Sequence, residues 1–252
     1  MELLRKRKNC NLFRKLSQIK PNKNKMIKKL FSKSKFENAN LSHTGTEFEV
    51  NNWVTSDFIV NKLVPIVGFH PFPLNELMLM TSTVCFFKPE YIFEWGTNIG
   101  KSARIFYEIS ESFNIATEIH SIDLPDDVFH NEHPQNNRGK MVQGIKKVIL
   151  HQADGLKCSF DLINEKKPKG RVLFFVDGDH SYESVKKELE TILTNAPNAL
   201  VLLHDTFYQS EESKYNIGPF NAVKDVLASR QDKYEVVATN MGLPGMSLVY
   251  KK

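Results

Sequence analysis

Acids and histidines gather at the ends of two apolar runs. Residues Arg171-Val172-Leu173-Phe174-Phe175-Val176 lead into Asp177-Gly178-Asp179-His180-Ser181-Tyr182, and Ala199 to Leu203 lead into His204-Asp205-Thr206. Five consecutive apolar residues closing on polar ones are how a central parallel strand reads when its carboxyl end opens into a site. Two neighbouring strands of this kind would deliver Asp177, Asp179, His180, His204 and Asp205 to one edge of a sheet. Imidazoles at such an edge can take a proton from an acceptor, and carboxylates beside them can hold a divalent ion. His180 has a plainer reading as well, as a capping or hydrogen-bonding residue at the start of the next helix.

A second stretch with chemical content is Tyr91-Ile92-Phe93-Glu94-Trp95-Gly96-Thr97-Asn98-Ile99-Gly100-Lys101-Ser102. It reads as a buried strand, a tight glycine turn and a helix start, with the main chain open to a ligand. Phosphate and dinucleotide cradles need G-x-G-x-x-G or G-x-x-x-x-G-K-[ST]. This turn offers Glu94-x-Gly96-x-x-x-Gly100, with Asn98 where a middle glycine would sit and an acid aimed into the site. A carboxylate repels a phosphate and can pair with an ammonium, and the missing third glycine makes a dehydrogenase the least favoured reading.

The elements that must position these residues follow from periodicity. A helical pattern begins at Thr55, with Phe58, Ile59, Leu63 and Ile66 on one face, and breaks at His70-Pro71-Phe72-Pro73. A second helix covers Leu74 to Phe87, ended by Pro89. After the glycine turn, Lys101 to Phe113 is an amphipathic helix, and strand Ile119 to Asp123 ends in an acid 23 residues beyond Gly100, close to the spacing at which an acid reaches a ribose hydroxyl. A polar loop over 124–139 holds Asp126, Asp127, His130, Glu132 and His133; the three-residue histidine spacing in a Pro/Asn-rich loop reads as a solvated, substrate-facing loop rather than a metal site. A helix at 141–146, a strand at 147–151 and Asp154 follow, then helix Glu183 to Leu193, helix Phe220 to Ala228, and strands near 234–238 and 246–250. Helices separate the first six of seven strands and a Gly242-Leu243-Pro244-Gly245 turn joins the last two, which predicts an antiparallel pair closing an α/β sheet.

Together, Glu94-Trp95-Gly96-Thr97 through Gly100-Lys101-Ser102, Ser121-Ile122-Asp123, the Asp177-to-Tyr182 string and Leu203-His204-Asp205 resemble the class I S-adenosylmethionine-dependent methyltransferases. The branch they look like holds cephalosporin-hydroxylase-like and rhamnosyl O-methyltransferase-like domains. The likeness runs from about residue 70 to 251; Trp95 and Lys101 depart from the usual aliphatic and small residues. It implies a Rossmann-like, doubly wound seven-stranded sheet in the order 3-2-1-4-5-7-6 with the last strand antiparallel, helices on both faces and an N-terminal helical cap over 55–88 before a core at 90–251. It also implies that Glu94, Gly96, Thr97, Gly100 and Ser102 hold the amino-acid end of S-adenosylmethionine, Asp123 the ribose and Asp154 the adenine, with Asp177 beside the cofactor. Asp154 is equally readable as a helix N-cap. In metal-dependent relatives the positions of Asp177, His204 and Asp205 bind a magnesium-type ion; an imidazole in that set leans toward manganese or iron. The implied reaction is methylation of a hydroxyl on a sugar or small metabolite, with Asp177, His180 and His204 as catalytic residues. Two alternatives stay open: a metal-dependent hydroxylase-like enzyme on the same fold, and a non-catalytic binding protein targeted by its basic tail.

Charge is divided unevenly along the 252 residues. Residues 1–36 carry 13 of the 34 Lys and Arg and one acid, Glu2, so the tail is +12 and the rest is 21 − 28 = −7. Any contact with RNA or an anionic membrane surface would rest on this tail alone, and residues 1–40 read as a solvated extension ahead of a domain at 41–252. Three widely spaced cysteines argue against a disulfide framework or a zinc cluster. With no apolar leader or spanning run in the sequence, the expectation is a cytoplasmic protein.

Overall fold

The structure, a computed structural model, describes residues 51–128, 137–213, 216–239 and 241–252. The basic tail, the 36–50 linker and His130, Glu132 and His133 lie outside them.

Seven strands form one sheet: β1 (Tyr91–Trp95), β2 (Glu118–Asp123), β3 (Val148–Gln152), β4 (Val172–Val176), β5 (Leu200–His204), β6 (Tyr234–Ala238) and β7 (Met246–Lys251). Their order is β3-β2-β1-β4-β5-β7-β6. The first five pair in parallel, and β7 runs antiparallel to both β5 and β6, as the tight final turn requires. β4 and β5 are buried at every position, which is why their sequences show no alternation.

The alternation is hidden in packing. Ile92, Leu173, Phe175, Leu200, Leu202 and Leu248 face one layer, and Phe93, Phe174, Val176, Val201, Leu203 and Val249 the other. The first layer holds α1 (Asn52–Phe58), α2 (Val64–Val67), α3 (Leu74–Phe87) and α4 (Lys101–Ser112); the second holds α5 (Gly155–Lys166), α6 (Tyr182–Asn195) and α7 (Gly218–Ala228). Each helix inserts an apolar stripe, such as Leu77, Met80 and Val84 of α3 or Val185, Leu189 and Ile192 of α6.

Two local expectations need correction. The first helix begins at Asn52 rather than Thr55, because the Asn51 side chain caps it, accepting from the N–H groups of Trp53 and Val54. Between α1 and α2 the backbone widens into a π turn over Ile59–Leu63, where the Val64 N–H reaches back to the Ile59 carbonyl; Pro65 next along has no N–H to extend a regular ladder. The expected helix at 141–146 is only a 3-10 turn, Lys140–Val142. Gly144 breaks it in a left-handed conformation, and its backbone is spent on the glycine turn: Gly139 N–H donates to the Asn98 carbonyl at 2.8 Å and Met141 N–H to the Ile99 carbonyl at 2.9 Å.

Among the described residues no helix is long and apolar enough to cross a membrane.

Candidate functional site

The carboxyl ends of β1, β2, β4 and β5 converge, and each of the sequence-marked residues can be placed. Glu94 points into the α4 layer and is fully buried. Its Oε1 accepts from the Ser121 hydroxyl at 2.5 Å, and Ser121 in turn shares a 2.7 Å bond with Thr97. Oε2 is buried with no hydrogen-bond partner. Burial above all pushes the Glu94 carboxyl up to about 8; bonds from Ser121 and Ser102 oppose this, and the charges of Asp177 and Asp123 add to it. A buried carboxylate with one oxygen unpartnered suits a ligand that brings an ammonium.

The turn above Glu94 must be glycine. Gly96 has φ +94, and a Cβ there would stand 2.3 Å from the Asp177 carbonyl oxygen, so β1 and β4 can neighbour each other only with this position bare. Gly100, also left-handed, packs on Gly139. Thr97 and Ser102 are buried at the same turn. Lys101 donates to the His70 carbonyl, fastening the loop before α3 to the start of α4.

Asp123, at the end of β2, accepts from Leu124 N–H at 2.9 Å, Asn98 N–H at 3.3 Å and Arg138 Nε at 3.2 Å. Arg138 also holds Asp126 and the Leu124 carbonyl. Nothing in the sequence pairs Arg138 with Asp123, because the contact depends on the 3-10 segment doubling back onto the turn. Asp154 is exposed and caps α5, its Oδ1 accepting from Lys157 N–H at 2.7 Å. Replacing it, Asp154→Ala, is expected to cost about 1 kcal/mol, a fall in melting temperature of roughly 2–4 °C; a thermal melt with and without S-adenosylhomocysteine separates this cap from any part in binding.

The polar ends of β4 and β5 meet in one cluster. His204 Nδ1 lies 2.9 Å from Asp177 Oδ1, and His204 Nε2 lies 3.1 Å from Glu76 Oε2. His180 Nε2 stands 3.2 Å from Asp205 Oδ2 and 3.5 Å from Asp177 Oδ1. Asn216 bridges the other side, its amide 3.1 Å from Asp205 Oδ2 and 3.2 Å from His180 Nδ1. The capping of α6 falls to Ser181, with Asp179 folded back on Ser181, so His180 is released from capping and faces the acids while Asp179 turns away from them. Burial would lower the His204 pKa, but Asp177, Glu76 and Asp205 outweigh it and hold the ring up at about 10. Burial would raise Asp177, but His204 and His180 pull it down to about 2. Asp205 sits at φ +56, a strained conformation of the kind found at functional positions.

Ligand atoms of Asp177, His204 and Asp205 all lie within 4.8 Å of one another. Two carboxylates and an imidazole fit a divalent transition ion better than magnesium. Both ring nitrogens of His204 are engaged, so a metal there would take the place of the Asp177 contact.

Glu76, like Arg138 and Asn216, is a residue that sequence reading missed. It is wholly buried, accepts from Gly245 N–H at 2.8 Å and faces His204. Its signal was an acid in the first turn of an otherwise apolar helix, Leu74-Asn75-Glu76-Leu77-Met78-Leu79-Met80, where it reads as an ordinary N-terminal acid. The helices ahead of β1 pack on the sheet, and α3 brings the Glu76 side chain to His204.

The sheet order, the glycine turn over a buried acid and the acidic ends of β2 and β4 define a class I methyltransferase fold. Residues 93–206 match the family described as "Methyltransferase domain". Among solved structures, a candidate O-methyltransferase from Klebsiella pneumoniae is similar at 13% identity and TM-score 0.51, covering 83% of this chain and 100% of its own. An S-adenosylhomocysteine-bound methyltransferase from Podospora anserina is similar at 17% identity and TM-score 0.48, covering 82% and 99%. The first of these likenesses speaks for the fold. No curated protein matches the chain.

Proposed function

We propose that this protein is an S-adenosylmethionine-dependent methyltransferase acting on a hydroxyl of a sugar or small metabolite. The observation that carries the reading is Glu94: a fully buried carboxylate beneath a bare glycine turn, with one oxygen lacking any partner. S-adenosylmethionine supplies a methyl group made electrophilic by its sulfonium. Glu94 would hold the ammonium of its amino-acid end, with Gly96 and Gly100 keeping the main chain clear and Thr97 and Ser102 completing that wall. Asp123 would take the ribose hydroxyls, sharing its oxygens with Arg138, and Asp154 would stand at the adenine from the start of α5.

His180 is the group best disposed to hold the acceptor's proton, since Asp177 and Asp205 stabilise its charged form. His204 would fix Asp177 against the sheet. A divalent ion at Asp177, His204 and Asp205, manganese in preference to magnesium, would lower the pKa of the acceptor hydroxyl. In this account the domain spans 41–252, the 1–40 tail lies outside the chemistry, and the free thiols of Cys85 and Cys158 suit a reducing cytoplasm.

The test is transfer of a radiolabelled methyl from S-adenosylmethionine to hydroxyl acceptors, run with manganese, magnesium and a chelator. The expected result is label on an acceptor hydroxyl, none on its methyl ether, and a rate reduced about 100-fold or more in His180→Ala. Transfer to nitrogen or sulfur acceptors alone would refute the O-methylation reading.

A further inference from the structure

We infer that a cleft between the start of α3 and the β6–β7 turn is the acceptor subsite, and that it takes a neutral, largely apolar alcohol or phenol. The cleft has a volume of about 330 Å³ and is lined by Pro73, Leu74 and Asn75 on one wall and Met241, Gly242 and Leu243 on the other. The inference rests on the methyltransferase reading above and narrows its acceptor.

Position comes from Glu76. Two residues beyond Leu74, its carboxylate accepts from Gly245 N–H at 2.8 Å with one oxygen and meets His204 with the other at 3.1 Å. Both walls of the cleft thus run, within a few residues, into the carboxylate that holds the Asp177–His204 cluster. The turn is fastened to the end of β5 as well, Thr206 N–H donating to the Gly245 carbonyl and Phe207 N–H to the Pro244 carbonyl, each at 3.1 Å. These bonds tie both walls of the cleft to Glu76, His204 and the segment that follows β5.

Chemistry comes from the lining. Among these residues there is no charged side chain, and Asn75 carries the one polar one. Leu74, Leu243 and Met241 are 47%, 50% and 83% exposed, three apolar side chains gathered in the open beside a catalytic cluster, where covering them is favourable. A sugar presents hydroxyls on every side and would leave most of them without partners against such walls. An anionic acceptor would find no cation in them. The volume suits a body of one or two rings or a short acyl chain, and Met241 can repack around different shapes.

The probe is 2-naphthol, with methyl β-glucoside as the polar comparison, titrated into the full chain with and without S-adenosylhomocysteine and followed by ligand-observed NMR. The expected result is binding of 2-naphthol at least about tenfold tighter than the glucoside, and a loss of about tenfold or more in Leu243→Asp and in Leu74→Asp, with S-adenosylhomocysteine affinity unchanged in both. Equal binding of the two probes, or 2-naphthol affinity unchanged in both variants, overturns the inference. The cofactor reading fails separately. If S-adenosylhomocysteine does not bind but 2-naphthol still binds and is lost in the variants, the apolar subsite stands and the reading beneath it falls.

Discussion

Glu94→Gln is expected to raise the melting temperature of the ligand-free protein near pH 8 while abolishing its affinity for S-adenosylhomocysteine. The sign follows from where the proton sits. Burial pushes the folded-state pKa of Glu94 up to about 8 from the ordinary 4.5, so the folded chain binds this proton more tightly than the unfolded one. Below the ordinary value both states are protonated and the residue costs nothing. As the pH rises from there through about 8, folding must either retain the proton or bury a bare charge, and stability is lost. A neutral isostere removes that penalty, so the gain over wild type should grow from near zero around pH 5 to its maximum near pH 8–9. The same substitution removes the buried charge expected to meet the ligand ammonium, a loss of about 2–5 kcal/mol, or roughly 30-fold to several thousand-fold in affinity. Melting curves across that pH range, with and without ligand, read both effects. A variant less stable than wild type at alkaline pH would mean that Glu94 is satisfied within the protein and is not reserved for a ligand.

The other large effect is expected at His204. It is the link between Asp177, just past β4, and Glu76 on α3, and His204→Ala leaves Glu76, wholly buried, with the Gly245 N–H as its remaining described partner. Breaking a buried pair in this way costs about 3–5 kcal/mol, a fall in melting temperature of roughly 10 °C for a domain of this size. Glu76→Ala should cost a similar amount, and the double variant should cost clearly less than the sum, since each single change already removes the shared interaction. Additive losses in the double-mutant cycle would show that the two residues do not act on each other.

Much of this architecture was legible in the sequence because it rests on local pattern. The apolar runs at β4 and β5, the glycine turn and the Gly242-to-Gly245 hairpin each carry their own signal, and the strand order followed from them with the family resemblance. The cluster of Asp177, His180, His204 and Asp205 was readable for the same reason: parallel neighbours deliver their carboxyl ends to one edge. Glu76 and Arg138 were not readable, because their partners lie 128 residues away for Glu76 and His204, and 15 away across a loop for Arg138 and Asp123. Pairings of that kind are fixed by tertiary packing, and no spacing rule reports them. The misplaced helix at 141–146 has a related origin: its backbone groups are claimed by the main chain of Asn98 and Ile99, which outweighs local propensity.

The measurement that bears most directly on the central claim is a calorimetric titration of the full-length wild-type chain with S-adenosylhomocysteine, repeated on Glu94→Gln. The account predicts one molecule bound per chain with micromolar affinity, displaced by S-adenosylmethionine and lost in the variant. A folded wild-type protein that takes up neither compound, or a Glu94→Gln variant that binds as wild type does, would contradict it.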